Sequence, residues 1–242
     1  MLYLRGAQSP DLPALMRFYR ATETDTLPPP SLQTLVRSLD VGSLLIAQNA
    51  SDGAILATAG YFDYIKTSDA HQVFELAGTR VTGAIGRLAP LSLQQILLAV
   101  RLFQIASTEG GDHPISVISS ARHPKSIANL QALQMAEIAE MPAWLEYDTC
   151  SWTRQSERTN WRHFLATPAS MRTALAILEQ VDFYRGGYLC VGERRGPDGS
   201  SESSEVAISF ALAIRWLLPA ALSASKRGEL TCNFLPLPPE WC

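Results

Sequence analysis

The chain lacks the basic excess that binding a phosphate backbone demands: 20 Lys and Arg stand against 23 Asp and Glu over 242 residues, a formal net charge of -3. No Lys/Arg cluster with interleaved aromatics makes up for it, so nucleic acid is set aside as the main partner. Metal-site patterns are missing as well. Cys150, Cys190, Cys232 and Cys242 have neither CxxC spacing nor histidine companions at zinc-ligand distance, and no H-E-x-x-H, EF-hand or P-loop pattern occurs. They read as separate thiols suited to a reducing cytoplasm, and no metal is expected. No G-x-S-x-G elbow surrounds any serine, and Cys150 and Cys190 lie in apolar runs that suit inert buried thiols. Met1 to Gly6 lacks the basic-then-apolar layout of an export signal. The one long apolar run, Val206 to Ala224, contains Arg215 and Pro219 and is only just long enough to span a bilayer. An arginine near mid-bilayer costs about 2.5 kcal/mol or more, so the run is predicted to be a buried core helix and no membrane partner is expected.

What is present is apolar: 47% hydrophobic residues against 18% charged, enough over this length for one large core or one and a half. Leu2 to Leu4 reads as a strand, and Ser9-Pro10-Asp11 as an N-cap with proline at the first helical position, ahead of Leu12, Leu15, Met16 and Tyr19 at helical spacing. After Pro28-Pro29-Pro30, Ser31 is the next N-cap, with Leu32, Leu35, Val36 and Leu39 on one helical face. Ser43 to Gln48 and Ala54 to Tyr64 are strand-like and flank a turn ending in Asp52-Gly53, which predicts an antiparallel hairpin. Then follow a strand over Val73 to Val81, a glycine-containing stretch from Thr82 to Gly86, and a helix over about Leu91 to Ala106. Ile115 to Ser119 is a further strand. His123-Pro124 opens a helix with Ile127, Leu130 and Leu133 on its apolar face, and Trp144 to Trp152 reads as extended.

The predicted order, β-α-α-β-β-β-α-β-α-β, is an α/β (α+β) fold with a mixed sheet, antiparallel at its centre and turning parallel through its crossovers, flanked by helices. Residues 1–153 form this domain and 154–242 a C-terminal α/β extension that either continues its core or stands apart. In the extension, Thr167-Pro168 caps a helix carrying Met171, Leu175 and Leu178, and Tyr188 to Val191 is strand-like. Gly196 to Ser204 reads as a Gly/Ser-rich loop, and Glu229 to Leu235 as a last strand. The apolar run of the extension is a candidate homodimer surface.

The element order is similar to that of the GNAT superfamily of N-acyltransferases. A sharper likeness lies in the segment His123-Pro124-Lys125-Ser126-Ile127-Ala128-Asn129-Leu130-Gln131-Ala132-Leu133-Gln134-Met135, which resembles that family's N-P-x-S-x-x-L-Y-E-K-L-G-F. His123 stands where Asn is usual, Leu130 where the tyrosine general acid is usual, and Gln134-Met135 where Gly-Phe is usual. Arg80-Val81-Thr82-Gly83-Ala84-Ile85-Gly86-Arg87 resembles the family's pyrophosphate loop, R/Q-x-x-G-x-G/A, with the second glycine one residue late. The resemblance covers about 150 residues.

That resemblance implies acetyl-coenzyme A or another acyl-coenzyme A as cosubstrate, and an amine of a small molecule or amino-acid-like compound as acceptor. Thr79, Val81, Gly83, Ala84, Ile85, Gly86, Arg87 and Ser119 are the implied cofactor-binding residues, because glycine lets backbone N–H groups approach phosphate and Arg80 or Arg87 adds charge. Direct transfer needs a deprotonated amine, a polarised thioester carbonyl and a leaving thiolate that gains a proton. Glu75 is the first base candidate, its carboxylate facing either solvent or cleft by strand alternation, and His71 is the second. His123 either donates to the acyl carbonyl or caps its helix. Ser119 and Ser120 offer hydroxyls near the thioester, and Tyr64 and Tyr147 are alternatives to the missing tyrosine acid. The competing expectation is a non-catalytic binding or regulatory module of the same fold, in which the altered loop and Leu130 mark lost activity.

Overall fold

The structure, a computed structural model, describes residues 1–24, 29–66, 72–83, 87–89, 91–106, 115–120, 123–138, 161–179, 187–195 and 200–210. In chain order the elements are β1 (Leu2–Gly6), α1 (Leu12–Ala21), α2 (Leu32–Asp40), β2 (Leu44–Asn49), β3 (Ile55–Lys66), β4 (Gln72–Val81), β5 (Arg87–Ala89), α3 (Leu93–Ala106), β6 (Ile115–Ser120), α4 (Pro124–Ala132), β7 (Ala136–Ile138), β8 (Trp161–Leu165), α5 (Pro168–Glu179), β9 (Gly187–Arg195) and β10 (Ser201–Phe210). The strands form one mixed sheet in the order β5-β9-β10-β1-β2-β3-β4-β6-β8-β7. The pairs β1/β10 and β4/β6 are parallel and the other neighbours antiparallel.

Strand alternation divides the interior. Leu44 and Ile46 of β2 join Leu15, Phe18 and Tyr19 of α1 and Leu35 and Leu39 of α2 in one cluster. Leu45 and Ala47 belong to the larger cluster on the other face, with the inward residues of α3, α4 and α5. Each leucine buried in this way stabilises the fold by about 1.5–3 kcal/mol. The predicted hairpin is present: Gly53 adopts φ +71, and Gly53 N donates to Asn49 O at 2.8 Å.

Several expectations are revised. Ser9–Asp11 is a 3-10 turn rather than the start of α1, and Asp11 accepts from Gln8 N at 2.8 Å and from Arg5 at 2.6 and 2.7 Å, closing the turn on itself. On α2, Leu35 and Leu39 are buried but Leu32 is 53% and Val36 39% exposed, so the inward stripe runs through Ser38 instead. Val206–Phe210 lies in β10 and not in a helix. The alternation of Val206, Ile208 and Phe210 with Ala207 and Ser209 is a strand period, and Ile208 is fully buried against β1. Ser201–Ser204, expected in a loop, opens the same strand. The short β5, β7 and β8 go unpredicted.

The described strands after residue 153 join the same sheet: β8 lies between β6 and β7, β10 lies beside β1, and α5 packs on α3. The expected strands over Trp144–Trp152 and Glu229–Leu235, and most of the expected dimer surface, lie outside the described residues. Among the described residues no helix is long and apolar enough to cross a membrane.

Candidate active site

The site is built where two parallel strands part. β4 and β6 pair through Phe74↔Ile115, Glu75↔Ser116 and Leu76↔Val117, and the ladder ends there. Beyond that point β4 stays with β3 as far as Ala57↔Val81, while β6 stays with β8 as far as Ser120↔Trp161. The cause is local. Gly78 adopts φ +64, the β3/β4 register shifts between Thr58 and Gly60, and Thr58 Oγ1 donates to Gly78 O at 2.8 Å. This bulge inserts an extra residue in β4 directly after its last pair with β6 and bends the strand away.

The N-terminus of α4 follows the carboxyl end of β6, the position where parallel sheets offer N–H groups and partial positive charge. α3 follows β4 only after β5, while α4 comes next after β6. A polar bridge ties their first turns: Gln94 Nε2 donates to Ser126 Oγ at 3.3 Å, and Asn129 Nδ2 donates to Gln94 Oε1 at 2.8 Å. Sequence reasoning missed Gln94 and Gly78. A lone glycine inside a strand-like run was the available signal for the bulge.

The glycine-containing stretch begins directly after β4. Thr82 N still donates to Leu56 O at 2.9 Å, and Thr82 Oγ1 is buried without a hydrogen-bond partner. A Cβ at Gly83 would meet nothing within 4 Å. Ala84, Ile85 and Gly86 lie outside the described residues. Arg87 does not complete a loop that enters α3 directly: it begins β5, which pairs with β9. α3 is capped from within, Ser92 Oγ accepting from Gln95 N at 3.1 Å and Gln95 Oε1 from Ser92 N at 2.9 Å.

Of the other expected residues, Glu75 sits in the last pair but one before the strands part, opposite Phe62 and Ser116. Thr79 is half-buried just past Gly78, and Val81 is exposed. Ser119 pairs with Arg162 on the side of β6 away from β4. His123 is the N-cap of α4 but makes no side-chain cap hydrogen bond, and burial lowers its pKa. His71 and Tyr147 lie outside the described residues. Arg80 is committed elsewhere: it is buried, donates to Thr22 O at 3.0 Å and Tyr19 O at 3.4 Å, and lies over the Tyr19 ring at 5.1 Å, so it secures the C-terminus of α1. Leu130, at the position of the tyrosine acid in the resemblance, is 1% exposed within the large core.

A second buried guanidinium ties α3 to the β2/β3 side of the sheet. Arg101 of α3 donates to Ser43 O, Ala59 O and Gln104 Oε1 and stands over Tyr61 at 5.5 Å, while its Nε has no partner. Burial pushes its pKa down to about 9, which leaves it charged at neutral pH.

No family model matches the chain, and no curated protein matches its sequence. Among solved structures it is similar to a GNAT superfamily phosphinothricin acetyltransferase from Sinorhizobium meliloti in complex with AcCoA, at 17% identity and TM-score 0.48 over 67% of this chain and 86% of that one. It is also similar to YncA, a putative acetyltransferase from Salmonella typhimurium with its cofactor acetyl-CoA, at 15% identity and TM-score 0.49 over 69% and 93%. Ribosomal-protein-alanine N-acetyltransferase from Brucella melitensis is similar at 18% identity and TM-score 0.48 over 67% and 98%.

Proposed function

We propose that this chain transfers an acyl group, acetyl in the first instance, from acyl-coenzyme A to the amine of a small molecule or amino-acid-like acceptor by direct attack. The observation that carries the reading is the parting of β4 and β6 after Leu76↔Val117, with the N-terminus of α4 following β6. The main-chain edge of β4 beyond Ala77 matches an extended, amide-bearing arm, as a neighbouring strand would. The Thr82 hydroxyl, the open space at Gly83 and the N-terminus of α4 suit a pyrophosphate. When bound, the donor supplies an activated thioester.

In this reading Glu75, next to the last β4/β6 pair, takes the proton from the attacking amine. The bulge at Gly78 releases main-chain N–H from the β3 ladder to polarise the acyl carbonyl. Leu130 cannot protonate the leaving thiolate, and with a thiol pKa of about 8.5 that group departs without a dedicated acid. The same buried leucine favours the second reading, a module that binds the donor without turning it over.

Calorimetry with acetyl-coenzyme A, followed by turnover on a panel of amines, tests both. Wild type should bind at micromolar affinity. Gly83→Glu meets no steric obstacle, yet its carboxylate should repel the pyrophosphate and weaken binding at least about tenfold. Glu75→Gln should bind the donor as wild type does and turn over at least about a hundredfold more slowly. Failure of wild type to bind acetyl- or longer acyl-coenzyme A sinks the reading, and binding without turnover on any amine leaves the non-catalytic module.

A further inference from the structure

We infer that Arg101 is a positioning residue of the site: by holding the carbonyl of Ala59, the β3 residue opposite the Gly78 bulge, it fixes the point at which β4 leaves β6 and so sets the affinity for the donor. The inference rests on the reading of the β4/β6 parting as a donor site and concerns what holds that parting in place.

Register places Arg101 beside the bulge. On β3, Thr58 pairs with Arg80 and Gly60 with Ala77, so Ala59 alone stands opposite Gly78 and Thr79. Tyr61 pairs with Leu76, which in turn makes the last β4/β6 pair with Val117. The guanidinium of Arg101 reaches both β3 positions: Nη2 donates to Ala59 O, and the group stands over the Tyr61 ring at 5.5 Å. Neighbouring strands lie about 5 Å apart, so Tyr61 is only about 10 Å from Val117 across β4.

Side chains hold β3 on both of its edges at this irregularity. Toward β4, Thr58 Oγ1 donates to Gly78 O at 2.8 Å. Toward β2, where Ala59 pairs with Leu45, Arg101 Nη1 donates to Ser43 O at 2.5 Å, and the same carbonyl accepts from Tyr61 N at 3.2 Å. The rigid fork of the guanidinium thus spans one carbonyl ahead of β2 and one within β3.

Packing alone does not call for an arginine here. Leu97, Leu98 and Ile105, one turn away on α3, are buried and apolar, and Arg101 is 1% exposed among them. Among the described residues no carboxylate forms an ion pair with it, and its Nε has no partner. A charge buried in this way opposes folding, and apolar side chains of similar volume in such places often leave a protein as stable or more so. What they cannot supply is a pair of directed N–H bonds to Ser43 O and Ala59 O. Groups held at a cost to stability concentrate at functional sites. A site that is competent only a fraction of the time has its affinity reduced by that fraction, and the fork raises the fraction.

Arg101→Met in the full chain removes the fork and keeps most of the volume. Hydrogen exchange without ligand is the first arm of the test: amides of residues 58–60 and 77–81 should exchange at least about tenfold faster relative to those of β1. Exchange there as in wild type overturns the inference. Calorimetry with acetyl-coenzyme A is the second arm, and the donor should bind about tenfold more weakly, as expected if the competent fraction falls to a tenth. Arg101→Lys keeps the stem and the charge, but its single ammonium cannot span two carbonyls, so it should weaken the donor as well. Should the methionine variant fail to fold, both arms are read on the lysine variant. Wild-type donor affinity in Arg101→Lys assigns the effect to charge rather than to the fork; that result, or wild-type affinity in Arg101→Met, overturns the inference and leaves the acyltransferase reading standing. A wild type that binds no acyl-coenzyme A overturns both.

Discussion

Gln134 shows how a departure from a family pattern is accommodated by geometry. Its φ of +55 is the left-handed conformation for which glycine is suited, at the first position beyond Leu133, the C-cap of α4. Gln134 N donates to Gln131 O at 2.8 Å and Met135 N to Leu130 O at 3.2 Å, which together close the helix as glycine-terminated helices close. The bend is held from outside as well, since Thr167 Oγ1 and Ser170 Oγ donate to Gln134 O at 3.1 and 2.9 Å. A residue with a Cβ costs about 1–2 kcal/mol in this conformation, partly offset by the greater freedom glycine has when unfolded. Gln134→Gly should therefore raise stability by about 0.5 kcal/mol or more, read as a higher urea midpoint at unchanged m. A lower midpoint would show that the Gln134 side chain contributes more than its backbone strain costs.

At the scale of elements, α4 carries a pH dependence. His123 stands at its N-terminus, half-buried, and burial lowers its pKa; the partial positive charge of the helix end acts in the same direction. A histidine whose folded pKa lies below its unfolded value of about 6.5 binds its proton more readily when unfolded, so stability is retained above that value and lost as pH falls through it toward the folded pKa. His123→Asn should flatten this part of the unfolding-midpoint profile between pH 7 and 5, and an unchanged slope would remove His123 as its source. The elements legible in the sequence were those with local chemistry behind them. Asp52-Gly53 marks a turn because glycine takes the positive φ, while Ser31 and Thr167 mark helix starts because their hydroxyls meet Thr34 N and Ser170 N. What stayed illegible depends on distant partners. β8 holds Phe164 and Leu165 in the core, but Arg162 and His163 give the segment a polar reading, and the ion pair of Arg162 with Glu137 of β7 depends on a strand partner. β5 is three residues long and exists through β9, about a hundred residues away in sequence. Gly78 was visible as a glycine, but its consequence, the parting of β4 from β6, requires the parallel pair to be known.

For the whole molecule, the pairing of the described strands favours one core over two. Composition changes after Thr153, which suggests a boundary, yet the pairing crosses it twice: β8 joins β6 and β7, and β10 joins β1. α5 adds Met171, Ala174, Ile177 and Leu178 to the same cluster as α3 and α4. Ile208 is the sharpest probe of this continuity, because it comes from the last described strand and is fully buried in that cluster beside Leu2. Ile208→Ala removes buried methyl groups and leaves a cavity, a loss of about 2–5 kcal/mol. In one continuous core that loss lowers the whole unfolding transition, so residues as far apart in the sheet as Ala57 and Phe164 lose hydrogen-exchange protection together. Two separate units would instead give two calorimetric transitions with only one displaced. Because β1 is paired on both sides, a variant that frees β10 also turns a central strand into an open edge, and the two-unit outcome would then be accompanied by self-association.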